Sequence, residues 1–285
     1  MTFLNHISVC NNADLSDFIP WSIDKKIVGY INQTIASRLL CFNKIFKEEN
    51  HSLKLSDQLQ TPKERTEALT EILEVLRAEE LCGIELKENY AVTTKIGQPV
   101  LMHIDRSASD LLGIISTGFH LNGFVSNEHV LKMWVARRSK DRVTFPGKLD
   151  NIVAGGQPFN LTVAENVIKE CNEEANIPKE LAIMAKPVGL ISYMMQVNDN
   201  LRRHVMYTYD LDVPPHFTPS PNDGEVEKFC LLNIEKIMHI VQSSPYSFKF
   251  NCNLVIIDFL IRHGRIKPDH PDYFEIIKGL RHALN

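Results

Sequence analysis

The stretch 155–177, GGQPFNLTVAENVIKECNEEANI, decides how the rest of the chain is read. The apolar run Ile152, Val153, Ala154 leads into it as a strand, and Gly155 and Gly156 end that strand in a loop whose backbone can approach a metal or phosphate closely. Thr162 then stands as N-cap of a helix running to Ala175. At about 100° per residue, Glu170, Glu173 and Glu174 fall within a sector roughly 100° wide, while Val167, Ile168, Cys171 and Ala175 fill the adjoining apolar side. An acidic trio alone is usually a solvated helix face. Behind a glycine loop it reads differently, because crowded carboxylates raise one another's pKa and weaken the helix unless hard cations sit between them. Mg²⁺ is the expected ion, with Mn²⁺ as the alternative, since both take oxygen ligands and leave positions for water and phosphate. The expected ligands are Glu170, Glu173 and Glu174 with a backbone carbonyl of Gly155 or Gly156.

Upstream, residues 26–31 and 39–46 are strand candidates, and 61–81 is a helix with Thr61, Pro62 and Glu64 at its start and Ala68, Leu69, Ile72, Leu73 and Leu76 on one face, stopped by Gly83. A further helix is expected over 107–116, followed by paired strands 119–125 and 129–137 joined by a polar turn. Downstream of 162–175, strands are expected at 185–193 and 205–211, helices at 234–242 and 253–263, and a surface loop in the proline cluster 214–221. The expected division is a smaller α/β domain, 1–115, and a catalytic domain, 116–285.

The chain has 285 residues, 44% hydrophobic and 23% charged, enough for a real core. A net charge of −4 and a pI near 6.3 exclude the broad basic field of non-specific nucleic-acid binding, so phosphates must be met by a few local cations. Cys10, Cys41, Cys82, Cys171, Cys230 and Cys252 form neither a C-x-x-C pair nor a zinc spacing, and read as thiols of a reducing compartment. With no basic start before an apolar core, and no run of roughly 20 apolar residues, a cytoplasmic protein without membrane contact is expected. The oligomeric state stays open between monomer and homodimer. None of the eleven histidines falls in an H-E-x-x-H or H-x-x-x-H pattern, and His204, His216 and His263 read as surface or hydrogen-bonded core residues. Ser139 and Ser192 lack a nucleophile-elbow frame.

The segment 155–177 resembles a Nudix box, whose pattern runs from a glycine and a glutamate to R-E-x-x-E-E-x-G-hydrophobic. Lys169 stands at the arginine, Asn176 at the second glycine, and Leu161 or a neighbour at the early glutamate, while E-x-x-E-E is intact. Further stretches, WVARRSKDRVTFPGKLDNIVAGG, ISYMMQ, YDLDVPPHFTPSPNDGEVEKF and FNCNLVIIDFLIRHGRI, are similar to a Nudix subgroup with an added N-terminal domain, related to the Nudix part fused to some fungal thiamine pyrophosphokinases. The resemblance implies an α/β (α+β) fold, a mixed-sheet α/β/α sandwich with an appended smaller α/β domain. It also implies a magnesium-dependent metabolite-repair hydrolase that converts thiamine diphosphate, or its oxo and oxy analogues, to the monophosphate.

On that reading Lys169 orients a box glutamate, as a point charge in place of a bidentate fork. Glu225 supplies one more carboxylate from NDGEVEKF, where alternation puts Glu227 on the same face, and Glu170 is the other candidate base. Arg137, Arg138, Lys148 and Arg203, with Arg202, are the candidate substrate cations, and Trp134, Phe145, Tyr193 and Met194 the candidate wall for a ring. Two other readings stand beside it: a Nudix pyrophosphatase of ADP-ribose or another nucleoside diphosphate derivative, and a catalytically weak ligand-binding Nudix module.

Overall fold

A computed structural model describes residues 2–127, 130–244 and 246–284. The chain starts with helix α1 (Phe3–Cys10) and then builds a small sheet from two hairpins, β1 (Ile19–Ile23) with β2 (Lys26–Ile31), and β3 (Phe46–Glu49) with β4 (Ser52–Leu55), separated by helix α2 (Gln33–Leu40). Parallel pairing of β1 with β4 sets the order β2–β1–β4–β3. Helix α3 (Pro62–Ala78) follows, fixed at its start by the reciprocal bonds of Thr61 and Glu64, and then a ribbon of β5 (Asn89–Val92) and β6 (Met102–Asp105). Trp21, Ile31, Leu39, Phe46, Leu69, Tyr90 and Leu112 share one buried cluster, so sheet, helices and ribbon pack as a unit.

The larger sheet begins with β7 (Ile115–Ser126) and β8 (Leu131–Arg138) and takes in β9 (Leu149–Asp150) and β10 (Val153–Gly156). Helix α4 (Val163–Ala175) and a short α5 (Lys179–Ala182) precede the hairpin of β11 (Lys186–Val197) and β12 (Asn200–Asp212). The chain ends with β13 (Val226–Asn233), α6 (Ile234–Ser243), α7 (Phe250–Arg262) and α8 (Tyr273–Gly279). The strand order is β11–β12–β7–β8–β13, with β7 parallel to β12. Along its other edge β7 has two partners in turn: β10 over Gly118–Leu121 and β8 over Phe124–Ser126. The sheet therefore splits between Leu121 and Phe124, leaving β10 with its glycines at an open edge.

Side-chain alternation gives the sheet two apolar faces. Phe119, Leu121, Trp134 and Leu211 pack against Val167, Cys171 and Ala175 of α4. On the other face Met133, Val135, Tyr193 and Met206 pack against α6, α7 and α8, and Phe3, Ile7 and Cys10 of α1 join that cluster. The result is the mixed-sheet α/β/α sandwich expected from the sequence. The division into 1–115 and 116–285 remains a proposal, in which α1 stands out by packing into the core of the later part.

Three local expectations change. Residues 39–46 are not a strand: Asn32 accepts the Ile35 N–H at 2.9 Å and Ile35, Ala36 and Leu39 fall on one buried face, so α2 covers Leu39 and a turn leads to β3. Residues 107–116 are not a helix either, because Asp105 caps a single turn at Ser107 and Gly113 takes φ +55°, which ends it before β7. The strands at 119–125 and 129–137 do meet, but only through Phe124–Ser126, since β12 and β10 occupy the rest of β7; His129 lies outside the described residues.

Candidate active site

Thr162 and Glu165 cap α4 reciprocally, the Thr162 hydroxyl accepting the Glu165 N–H at 3.2 Å while the Glu165 carboxylate accepts the Thr162 N–H at 2.8 Å. This fixes the loop from Gly156 to Thr162, and Asn166 ties it further by donating to the Gly156 carbonyl at 2.6 Å. At the other end Asn176 sits at φ +52°, ψ +33°. That left-handed position is one a glycine fills most easily and asparagine next, so the departure at the end of the box leaves its backbone intact.

The three glutamates have different surroundings. Glu174 reaches under β10 and accepts the Ala154 N–H at 3.0 Å. Burial raises its pKa well above the usual carboxylate range, and Asp150, Glu170 and Glu225 add repulsion that the Ala154 N–H offsets only in part. Glu170 lies against Gly155, where a Cβ would come within 2.7 Å of its Cγ, so this glycine is required by the carboxylate beside it. Its pKa is also raised, chiefly by burial, with Lys169 opposing. Glu173 faces outward and is held by Lys169 at 2.6 Å, while Lys169 bonds Glu170 at 3.1 Å.

Two crowded carboxylates with raised pKa values beside a glycine backbone form a hard-oxygen donor set whose charge Lys169 meets only in part, and a divalent cation fits it. Glu170, Glu174 and a Gly155 or Gly156 carbonyl would hold such an ion, with Glu173 at the rim. Among the described residues the His, Cys, Asp and Glu group whose ligand atoms close within 4.8 Å is a different one, His120, Asp150 and Cys252. Its charge is already met: Arg138 bonds Asp150 at 2.9 Å, Lys249 stands 4.0 Å away, and the Cys252 thiol donates to Asp150 at 2.8 Å. Although burial opposes ionisation of Asp150, Lys249, His120 and Arg138 bring its pKa down to about 2.

The sheet face opposite α4 continues the site. A Cβ on Gly118 would lie 2.7 Å from the Gly155 carbonyl oxygen and 3.3 Å from His204 Nε2, so the His204 ring adjoins the glycine backbone. Tyr193 shares a 3.1 Å hydrogen bond with His204 Nδ1 and an edge contact with Phe250, which meets Phe145 at 5.4 Å. Burial, Arg202 and His120 keep His204 neutral by pushing its pKa well down. Phe145 is held at φ +53°, a strained position for an aromatic residue, with the Arg138 guanidinium donating to its carbonyl at 3.2 Å. Together these residues make an aromatic cluster beside the glycine backbone, with Tyr193 fully buried and Phe145, His204 and Phe250 half-buried.

The sequence-expected cations are placed unevenly. Arg138 braces Asp150 and the Thr144 carbonyl, Arg137 donates to the Gly147 carbonyl at 3.1 Å, and Lys148 is bonded to the Tyr246 carbonyl. Arg203 departs furthest from expectation: alternation along β12 turns it away from His204, and it is buried against Tyr30, donating to the carbonyls of Gly113 at 3.0 Å and Leu284 at 2.7 Å. Arg202 faces the His204 side but is bidentate on Asp110. Glu225 pairs with Arg142 just before β13, close enough to raise the Glu174 pKa, whereas the irregular register between Val226 and Lys228 breaks the alternation that would align Glu227 with it. Trp134 packs into the α4-side core, Met194 against Phe18 and Leu201, and Tyr193 into the core on the opposite face, so of the four expected wall residues only Phe145 is part-exposed.

The sequence reading missed Lys249 and Phe250 at the start of α7, and the contribution of Tyr90 and Arg106. A side chain on Gly156 would collide with the Tyr90 hydroxyl and come within 3.3 Å of the Arg106 guanidinium carbon. The Phe159 N–H donates to the Asn89 carbonyl at 3.1 Å, and Tyr90, Thr117, Gln157, Phe159, Leu161 and Tyr207 help line a cleft of about 250 Å³ beside the loop. No periodicity or spacing in residues 1–115 marks Tyr90 or Arg106.

Comparison with known proteins decides the family. Nudix hydrolase 24, chloroplastic, of Arabidopsis thaliana is 37% identical over 285 residues, covering 99% of this chain and 78% of the relative. The chain belongs to the Nudix hydrolase family. Nudix hydrolase 20, chloroplastic, from the same plant is 36% identical over 98% of this chain and 77% of its own length. A family described as a domain of unknown function (DUF4743) matches residues 2–116. Among solved structures, a crystal structure of a Deinococcus radiodurans protein aligns with 60% of this chain and 98% of its own at 21% identity and a TM-score of 0.46. As a Nudix hydrolase the chain is an enzyme, and its altered box is carried on the α/β/α fold described above.

Proposed function

We propose that this Nudix hydrolase cleaves thiamine diphosphate or its oxidised analogues to the monophosphate and phosphate, using a divalent cation held by Glu170, Glu174 and the Gly155–Gly156 backbone with Glu173 at its rim. The observation that carries the hydrolytic part is the pair of crowded, raised-pKa carboxylates against β10. A cation bound there supplies charge for the phosphoryl oxygens and lowers the pKa of a bound water. The Glu170 carboxylate oxygen left free by the cation would take the proton of the attacking water, with Glu225 as the other candidate. As the water oxygen bonds to the terminal phosphorus, the bridging P–O bond breaks and the monophosphate leaves. Lys169 keeps Glu170 and Glu173 apart and oriented.

The ring assignment rests on the resemblance to thiamine diphosphate hydrolases, supported by the half-buried rings of Phe145, Phe250 and neutral His204, which the fully buried Tyr193 backs and which suit a flat heterocycle. A panel of thiamine diphosphate, its oxo and oxy analogues, ADP-ribose and a dinucleoside polyphosphate, assayed with Mg²⁺ or Mn²⁺, tests it. The highest kcat/KM is expected on a thiamine diphosphate form. Preference for ADP-ribose or the dinucleotide would overturn the substrate while leaving the chemistry in place.

A further inference from the structure

The cations around the glycine loop differ in what they are bound to. Lys169 is engaged by two box glutamates, Arg138 by Asp150 and backbone carbonyls, and Arg202 by both oxygens of Asp110. Arg106 differs: its side chain is 43% exposed, and its one ion pair among the described residues is from Nη1 to Glu88 at 2.7 Å. It also lies over the Tyr90 ring at 5.8 Å.

Its position is built. Asp105 accepts the Ser107 N–H at 3.0 Å and is paired with Arg77 at 3.3 Å, which fixes the turn carrying Arg106 at the end of β6. The β5–β6 ribbon is in turn pinned to the box loop by the Asn89–Phe159 backbone bond and by the His103 ring 3.9 Å from that of Phe159. The absence of a side chain on Gly156 lets Tyr90 and Arg106 come in directly over the loop. Glu170 acts electrostatically on Arg106, and Arg106 on His204, so the guanidinium that Gly156 admits is within electrostatic reach of both the box and the His204 ring. An always-charged planar fork beside a carboxylate-rich cation site is the chemistry that a diphosphate requires.

We propose that Arg106 contacts the diphosphate of the substrate, so that the β5–β6 ribbon is a component of the active site. Tyr90 is the positioning residue that packs under it. The proposal rests on the diphosphate hydrolase reading above, and two independent measurements separate its failure from failure of that reading. The first is steady-state hydrolysis of thiamine diphosphate by the full chain with saturating Mg²⁺. Arg106→Gln is expected to lower kcat/KM by about 10- to 100-fold with an unchanged melting temperature, and Arg106→Lys to recover part of the loss. The second is calorimetric binding of inorganic pyrophosphate with Mg²⁺, which needs no turnover: Arg106→Gln is expected to weaken it by about tenfold.

If the wild-type chain hydrolyses no diphosphate of the panel, the functional reading fails, and pyrophosphate binding still decides the role of Arg106. Glu88→Gln guards against a purely structural explanation. It breaks the same ion pair but leaves the guanidinium in place, so pyrophosphate binding is expected to be kept or strengthened. Equal losses in Arg106→Gln and Glu88→Gln, or a folded Arg106→Gln with unchanged KM, kcat and pyrophosphate affinity, would overturn the proposal.

Discussion

At the residue scale, the surroundings of Glu174 disfavour its charged form, a penalty that a bound cation would offset. Because burial and three neighbouring carboxylates raise its pKa, the metal-free folded state favours its protonated form, and at neutral pH its ionisation costs stability. Glu174→Gln is therefore expected to reduce kcat by more than about 100-fold while leaving the melting temperature in EDTA equal to or above that of the wild type. The rise in melting temperature that Mg²⁺ gives the wild type should shrink in the variant. A melting temperature that falls in EDTA would show that the carboxylate is structural. His120 makes a second residue-scale case. It is buried between Asn151 and Asn251, and burial with Lys249 nearby brings its pKa down to about 4. The unfolded chain takes up this proton near pH 6.5 and the folded chain does not, so stability is complete above that pH and declines as pH falls toward 4, by up to about 1.4 kcal/mol per unit. His120→Gln should flatten the melting temperature profile between pH 6.5 and 4, with a residual slope to which His6, His103, His204 and His282, which shift the same way, contribute. An identical slope in the variant would remove His120 from that account.

At the element scale, the box depends on the two ends of α4. Thr162 supplies the N-cap and Asn176 the left-handed exit, and between them the helix presents Val167, Cys171 and Ala175 to the core and Glu170 and Glu174 to β10. Thr162→Ala is expected to cost about 1 kcal/mol in urea unfolding. Asn176→Gly should be neutral or slightly stabilising, whereas Asn176→Val should cost about 1–2 kcal/mol because a β-branched residue resists positive φ. If all three variants unfold alike, the caps do not set the helix. The helix and its cap are legible in the sequence because Thr162, Glu165 and the apolar spacing act within a few residues of one another. The range 39–46 reads wrongly for a related reason: its apolar residues suit a strand, and only the Asn32 cap together with the buried face of α2 shows the helix.

At the scale of the whole molecule, early and late parts of the chain are joined through buried groups. Arg203 links β12 to the carbonyls of Gly113 and Leu284, and α1 completes the apolar layer against α7 and α8. Truncating Ile7 to Ala is expected to destabilise the chain by about 2–4 kcal/mol, measured by urea unfolding, although this buried residue lies far in sequence from the core it fills. A cost below about 0.5 kcal/mol would mean that α1 is only loosely attached. The residues that sequence reading assigns to substrate are the least well placed at this scale. Charge singles out Arg138, just upstream of the glycine loop, and Arg203, on a later strand, yet both are buried braces. Arg106, which precedes the box by the whole length of β7, β8 and β9, stands beside the loop.

The sequence by itself determined the glycine strand end, the capped helix, the intact E-x-x-E-E and the membership these imply, because each is local and repeats with the helical or strand period. Tertiary structure alone decided which cations face the site and which glutamates are crowded. It also brought Tyr90 and Arg106 over Gly156, and it packed the rings of His204 and Phe250 against the buried Tyr193. Those relations depend on the splitting of β7 between β10 and β8 and on the docking of the β5–β6 ribbon. Such contacts join residues far apart in the chain, and no short-range pattern encodes them.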